Sequence, residues 1–361
     1  MSLLDHLRRR VSSEGPLSVA DVMADALTHP RFGYYATRDP FGAAGDFVTA
    51  PEVSQMFGEL IGLWAAVVWQ QMGSPGRVHL VELGPGRGTL MADALRATRS
   101  VPGFHAAADL HLVEASRTLR EMQDRALSGY APRWHDDISG VPDGPAIVIA
   151  NEFFDALPIV QLMRTGAGWH ERRLAFDPEG GAPIWTLTPG ITPLAALLHP
   201  SVLMSARPGE IAEVSPTSLS VADALARRVV REGGAALVID YGHGESAAGD
   251  TLQAVKAHEP VDVLSTLGEA DVTAHVDFAA LARAVTQAGG VAHGPLPQGV
   301  FLSALGIAQR AEALAARATP AQARDIEAAK VRLIDPGEMG TLFKVAAWTG
   351  PAASPPPGFE A

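Results

Sequence analysis

The chain has 361 residues, of which 47% are hydrophobic, 19% charged and 36 are glycine, with a formal charge of −12 and no cysteine. This is enough apolar material for one large domain or two, and it excludes a coiled coil or a disordered chain. The acidic balance would suit a basic partner but reads first as that of an ordinary soluble chain, and it argues against binding along a phosphate backbone, so no nucleic acid is expected; the missing thiols remove disulfides, thiolate zinc sites, iron–sulfur ligation and a cysteine nucleophile.

The N-terminus, M-S-L-L-D-H-L-R-R-R, lacks the apolar core of a secretory signal and reads as an amphipathic helix with Arg8–Arg10 on its solvated side. A glycine-rich loop from Phe32 to Glu52 follows. Thr49 and Glu52 have the spacing of a capping box, with Pro51 in the first turn, and Val53, Met56, Phe57, Leu60, Ile61 and Trp64 mark one buried face of a helix running to Gln71.

A different rhythm starts at Arg77. R-V-H-L-V-E-L (77–83) is a strand, G-P-G-R-G a turn and T-L-M-A-D-A-L-R-A a helix. Further strands are read at D-L-H-L-V-E (109–114), A-P-R-W-H-D-D-I (131–138), A-I-V-I-A-N (146–151) and A-A-L-V-I-D-Y-G (235–242), with helices between them. Such alternation implies parallel pairing with right-handed crossovers, a doubly wound α/β sheet. Two more strand-like runs lie around Gly299–Leu305 and Thr341–Trp348, and the alternating pieces of about 160–212 form a small β insertion. The expected division is a helical N-terminal extension over 1–75, a catalytic domain over 76–350 and a frayed, proline-rich tail over 351–361.

No apolar run approaches a membrane span, so no membrane insertion is expected. The twelve histidines form no HExxH or similar cluster, so neither is a tightly bound metal.

Ligands of an open parallel sheet bind beyond the carboxyl ends of its strands. Here Glu82, Gly84, Gly86 and Gly88 follow the first strand, Glu114 ends the second, Asp136 and Asp137 end the third, and Asn151 and Glu152 end the fourth. Glu114 is placed for ribose hydroxyls and Asp136 or Asp137 for an adenine amino group. Taken alone, the glycines read equally well as a flexible turn. Their spacing is G-x-G-x-G, preceded by an acid, rather than the GxGxxG that sets a pyrophosphate on a helix N-terminus. That favours S-adenosylmethionine as cofactor over a nicotinamide dinucleotide.

Several segments carry a resemblance. F-G-Y-Y-A-T, G-D-F-V-T-A-P-E-V-S-Q-M-F-G-E, V-E-L-G-P-G-R-G-T-L, A-N-E-F-F-D-A-L-P, E-V-S-P, V-I-D-Y-G, D-V-T-A-H-V-D-F and M-G-T-L-F-K-V, in order from about residue 31 to 348, resemble the MidA-like family, that of the mitochondrial complex I assembly arginine methyltransferase. The resemblance implies a seven-stranded, Rossmann-like methyltransferase sheet and methyl transfer from S-adenosylmethionine to an arginine on a protein. In that family the acceptor is a subunit of the respiratory NADH–quinone oxidoreductase, complex I. The chain looks like a bacterial, cytoplasmic member; a eukaryotic one would act in the mitochondrial matrix. A homodimer stays open as its assembly state.

Glu152 and Asp155 are the candidate catalytic carboxylates, able to orient an acceptor guanidinium by charge-assisted bonds. Asp155 reads equally well as a cap of the next turn. Phe153 and Phe154 could wall the acceptor channel, but neighbouring side chains diverge and at least one belongs to the core. The resemblance also assigns Gly45, Asp46, Phe47, Thr49 and Glu52 to a loop over the cofactor, which is otherwise a connector. Tyr34 and Tyr35 line the peptide path or simply pack. His275 could pair with Asp277, whose capping role is the safer reading. The rival functions are a nicotinamide-dependent oxidoreductase and a non-catalytic assembly factor that retains the cofactor pocket.

Overall fold

The computed structural model describes residues 2–37, 49–256 and 259–360. Gly45, Asp46 and Phe47 therefore lie outside the described residues. The chain divides into two compact units, one comprising 1–47, 154–220 and 245–280, the other 48–153, 221–244 and 281–361.

The second unit is built on β1 (Val78–Leu83), β2 (Ala108–Val113), β3 (Arg133–His135), β4 (Ala146–Asn151), β5 (Gly234–His243), β6 (Val291–Pro297) and β7 (Phe343–Thr349). These lie in the order β3-β2-β1-β4-β5-β7-β6. All pairs from β3 to β5 are parallel, and β7 runs antiparallel to both β5 and β6. The mixed seven-strand path is that of the expected α/β sheet. Every residue of β1 and β4 is buried, as strands covered on both faces require. The order reverses between β1 and β4, where Leu83 pairs with Val113 on one side and Ala150 on the other. Four carboxyl ends thus stand level at the switch point, since Val113 also pairs with His135.

Three helices bear on the site: α1 (Gln55–Gln71), α2 (Thr89–Ala97) and α3 (Arg117–Ala126). The helix expected to run unbroken to Gln71 is in fact interrupted. A single turn, Ala50–Val53, ends at an extended Ser54 (φ −164°), whose hydroxyl then caps α1 through Met56 N. The expected capping box fails with it: Thr49 makes no side-chain cap, and Glu52 turns elsewhere. Gly299–Leu305, read as a strand, lies within and just beyond a helix, Gln298–Ala304; the strand falls immediately before it at β6. The third strand is confined to three residues because Asp137 leaves it to cap a short 3₁₀ turn.

Instead of fraying, the tail packs. Trp64 Nε1 donates to Pro357 O at 3.1 Å, and the Phe359 ring lies 5.4 Å from that of Phe301. Prolines lose little chain entropy on ordering and leave their carbonyls to accept.

The first unit has helices Leu3–Glu14 and Val19–Thr28, each opened by a capping box, Ser2 with Asp5 and Ser18 with Asp21. Its five-stranded antiparallel sheet joins Leu17–Ser18, Trp169–Phe176, Val160–Arg164 and Ile211–Val214 in that order, with Pro183–Leu187 beside Trp169–Phe176. A three-stranded sheet holds Gln253–Lys256 between Glu259–Val261 and Asp271–Thr273. Leu7, Met23, Leu27, Tyr34, Leu174 and Val272 belong to its core.

Candidate active site

Between β1 and α2 the glycines adopt left-handed conformations, φ 60° at Gly84, 52° at Gly86 and 83° at Gly88. Gly84 has a second constraint, since a Cβ there would lie 3.0 Å from Phe153 Cδ2. The turn is tied to its neighbours by Gly84 N donating to Val113 O at 3.0 Å. Gly88 offers α2 no side-chain cap. The turn is braced instead by Glu52, whose Oε1 accepts from Thr89 Oγ1 at 2.6 Å while its Oε2 lies 4.0 Å from Arg87.

Glu82 is 3% exposed, and its Oε2 has no hydrogen-bond partner among the described residues. Burial pushes its carboxyl up to about 8. Glu114 Oε1 accepts from Ser116 N at 2.8 Å and Oε2 from Gln123 Nε2 at 3.2 Å; burial raises its pKa too. Asp136 is mostly exposed and pairs with Arg120 at 2.5 Å, while Asp137 accepts from Ser139 N at 2.7 Å. Those Ser139 bonds lower the Asp137 pKa.

At the end of β4, Asn151 Nδ2 donates to Glu152 Oε1 at 3.2 Å, and Ala50 N donates to the same oxygen at 3.0 Å. Glu152 itself has φ +50°. Its N–H donates to Ile239 O at 2.9 Å, and the Phe153 N–H donates to Asp240 Oδ2 at 3.2 Å. The turn thus brings Glu52, Glu82, the three glycines, Glu114, Asn151, Glu152 and Phe153 into one unit with Thr49, Asp136 and Asp137.

The remaining predicted residues belong to the first unit. Tyr34 is fully buried in its core, so packing is its role there. Tyr35 donates its hydroxyl to both oxygens of Asp271 at 3.1 Å. Phe154 is buried, the core member of the phenylalanine pair. Asp155 is nearly buried in a turn closed by Leu157 N and Phe154 O; no helix follows for it to cap, and its carbonyl accepts from Ala274 N at 3.1 Å. His275 N donates to Thr251 Oγ1, and Asp277 caps the next helix by accepting from Ala280 N at 2.8 Å.

Sequence reading missed Gln123. Its Nε2 donates to Gly86 O at 2.7 Å and to Glu114, and its Oε1 accepts from Trp134 Nε1 at 2.8 Å. The signal available was an amide four residues after Leu119, on the buried face of α3. Asp240 was missed as well. Like Glu82 and Glu114, it is an acid closing an apolar strand run.

The family model for putative S-adenosyl-L-methionine-dependent methyltransferases matches residues 60–296. The chain is 38% identical to a Drosophila melanogaster protein named protein arginine methyltransferase NDUFAF7 homolog, mitochondrial, over 95% of this chain and 84% of the relative. It is 35% identical to the Homo sapiens protein arginine methyltransferase NDUFAF7, mitochondrial, over 94% and 82%. Its fold is similar to that of a likely methyl transferase from Burkholderia thailandensis solved with S-adenosyl-homocysteine bound, with a TM-score of 0.83 and 28% identity over 99% of this chain and 92% of that one. With the sheet order, the glycine turn and these likenesses in agreement, the chain belongs to the family of S-adenosylmethionine-dependent methyltransferases.

Proposed function

We propose that the protein transfers the methyl group of S-adenosylmethionine to an arginine on a protein, and that the acceptor is a subunit of complex I modified during assembly. The names of the curated relatives support arginine as acceptor, and the family resemblance supports complex I. The acidic chain suits a basic acceptor segment.

The second unit fits the cofactor. Glu82 carries a buried oxygen without a partner among the described residues, matched to the ammonium of an amino-acid end, and the left-handed glycines leave a surface without Cβ atoms. Glu114 would accept from ribose hydroxyls, Asp136 or Asp137 from the adenine amino group, and Asn151 would face the cofactor from β4. When bound, S-adenosylmethionine supplies an electrophilic methyl group on a sulfonium.

The observation that carries the acceptor half is the fixed carboxylate of Glu152. Ala50 N and Asn151 Nδ2 both hold Oε1, so the group is oriented before any acceptor arrives. A guanidinium is planar and cationic, and a charge-assisted bond from it to the held carboxylate would turn one nitrogen toward an in-line displacement. Phe153, whose ring lies against Gly84, excludes water at that point.

Glu152→Gln keeps a carbonyl oxygen for Ala50 but removes the charge. Its affinity for S-adenosylmethionine by calorimetry should stay within about threefold, while methyl transfer falls by about 10²-fold or more. Unchanged turnover removes Glu152 from the mechanism. The acceptor is found by peptide mapping of cells with and without this chain; a methylarginine on a complex I subunit should vanish with it. If no arginine changes in that comparison, the assignment fails.

A further inference from the structure

We propose that Asp240 is a positioning residue of this site, its carboxylate holding the peptide after β4 so that Glu152 stays in its left-handed conformation. The functional part rests on the reading of Glu152 as the acceptor-binding carboxylate. Asp240 is fully buried near the end of β5, where a carboxylate is tolerated only when hydrogen-bonded. Its Oδ1 accepts from Tyr241 N at 2.9 Å and its Oδ2 from Phe153 N at 3.2 Å.

A non-glycine residue at φ +50° is strained and persists only where its surroundings over-determine it. Among the described residues only Ser74, Ala131 and Glu152 combine a side chain with positive φ, and the first two lie in connecting turns. Glu152 instead follows a fully buried strand. The β4–β5 pairing ends at Asn151 opposite Ile239, and the next two amides are both taken by β5, Glu152 N by Ile239 O and Phe153 N by Asp240. The Ile239 bond is ordinary backbone pairing that any sequence provides. The Asp240 bond depends on a side chain, and it fixes the peptide joining Glu152 to Phe153. Through that peptide it sets two features at once: the direction of the Glu152 carboxylate toward Ala50 N, and the Phe153 ring against Gly84. Asparagine at position 240 keeps one oxygen for two N–H donors, so one of them would face an amide nitrogen.

The test separates strain from side-chain loss. Glu152→Ala and Glu152→Gly remove the same carboxylate, but only alanine keeps the Cβ that φ +50° penalises. With Asp240 intact, the Glu152→Gly protein should have a folding equilibrium constant about fivefold higher than the Glu152→Ala protein in urea titrations. With Asp240→Asn that advantage should shrink below about twofold, because residue 152 relaxes. Asp240→Glu, which moves both oxygens outward, should do the same and serves where Asp240→Asn does not fold. The Phe153 amide of the wild type should also be protected from hydrogen exchange. An equal advantage in both backgrounds, or a rapidly exchanging Phe153 amide, overturns the proposal. On the acceptor found by peptide mapping, Asp240→Asn should lower kcat about tenfold with KM for S-adenosylmethionine within twofold, and add no loss on top of Glu152→Gln. Additive losses overturn the route through Glu152. Coupled strain in a protein that methylates no arginine keeps Asp240's hold on Glu152 and overturns the reading of the site instead.

Discussion

Gln123 donates to Gly86 O and Glu114 Oε2 and accepts from Trp134 Nε1, so one buried amide touches the turn after β1, the end of β2 and the middle of β3. Its orientation is fixed by the chemistry of the partners. A carbonyl and a carboxylate can only accept, and an indole can only donate. Glu114 depends on this arrangement, because Ser116 N holds one of its oxygens and Gln123 the other. Gln123→Met fills the space but leaves the Trp134 N–H and the Gly86 carbonyl without their partner. We expect a stability loss of about 1–3 kcal/mol. Affinity for S-adenosylhomocysteine should fall by about tenfold, with kcat at saturating cofactor little changed. Calorimetry that finds wild-type affinity in this variant would remove Gln123 from the cofactor cradle. Gln123→Glu should be worse, since it sets a second carboxylate 3.2 Å from that of Glu114.

The glycine turn illustrates how an element carries two requirements at one position. Gly84→Ala must accept φ +60° and also displace Phe153, whose Cδ2 would lie 3.0 Å from the new Cβ. Gly129 has φ +95° but open space around it, so Gly129→Ala carries only the backbone cost of about 1 kcal/mol. Both variants should lose stability in urea titrations, and only Gly84→Ala should also lose cofactor affinity; equal affinities would mean that the turn does not approach the cofactor. The sheet and this turn were legible in the sequence because strand, glycine and helix signals are local and recur in chain order. What escaped was long-range. Glu52 has capping-box spacing from Thr49, yet its partner is Thr89, 37 residues on, and the local bond was outcompeted. Ser54 breaks a continuous apolar stripe because its hydroxyl can cap α1, a choice that the stripe itself does not encode. Residues 298–304 are apolar enough for a strand but follow β6 too closely to pair again, and they coil. Gln123 and Asp240 escaped for a related reason, since a buried polar residue declares its role only through partners on other elements.

At the scale of the whole molecule, two buried groups of the second unit give stability opposite pH slopes. His79, His111 and His135 stand on three neighbouring strands. Nε2 of His79 lies 3.2 Å from Asp143 O, its Nδ1 2.9 Å from His111 Nε2, and His111 Nδ1 2.8 Å from His135 Nε2. Because a carbonyl only accepts, the neutral chain has one consistent set of tautomers, with the proton on Nε2 of each ring. Burial lowers all three pKa values, that of His111 to about 4, and Asp109, 3.5 Å away, does not offset it. Between about 6.5 and 4 the unfolded chain binds more protons than the folded one, so stability is lost as pH falls, by about 3 kcal/mol for His111 alone. Glu82 runs the other way. With its folded pKa raised to about 8, the folded chain binds the extra proton between 4.5 and 8, and stability falls as pH rises through that range. Urea titrations from pH 4 to 9 should therefore lose stability on both sides, and Glu82→Gln should flatten the limb between 6.5 and 8 and steepen the acid limb, where Glu82 opposes the histidines between 4.5 and 6.5. A cationic amino-acid end beside Glu82 favours its carboxylate, so S-adenosylhomocysteine binding at pH 7 should release close to one proton. Calorimetry in two buffers of different ionisation enthalpy measures that release, and Glu82→Gln should abolish it. Proton release that persists in Glu82→Gln would assign the titrating group elsewhere and leave the buried carboxyl of β1 without a part in binding.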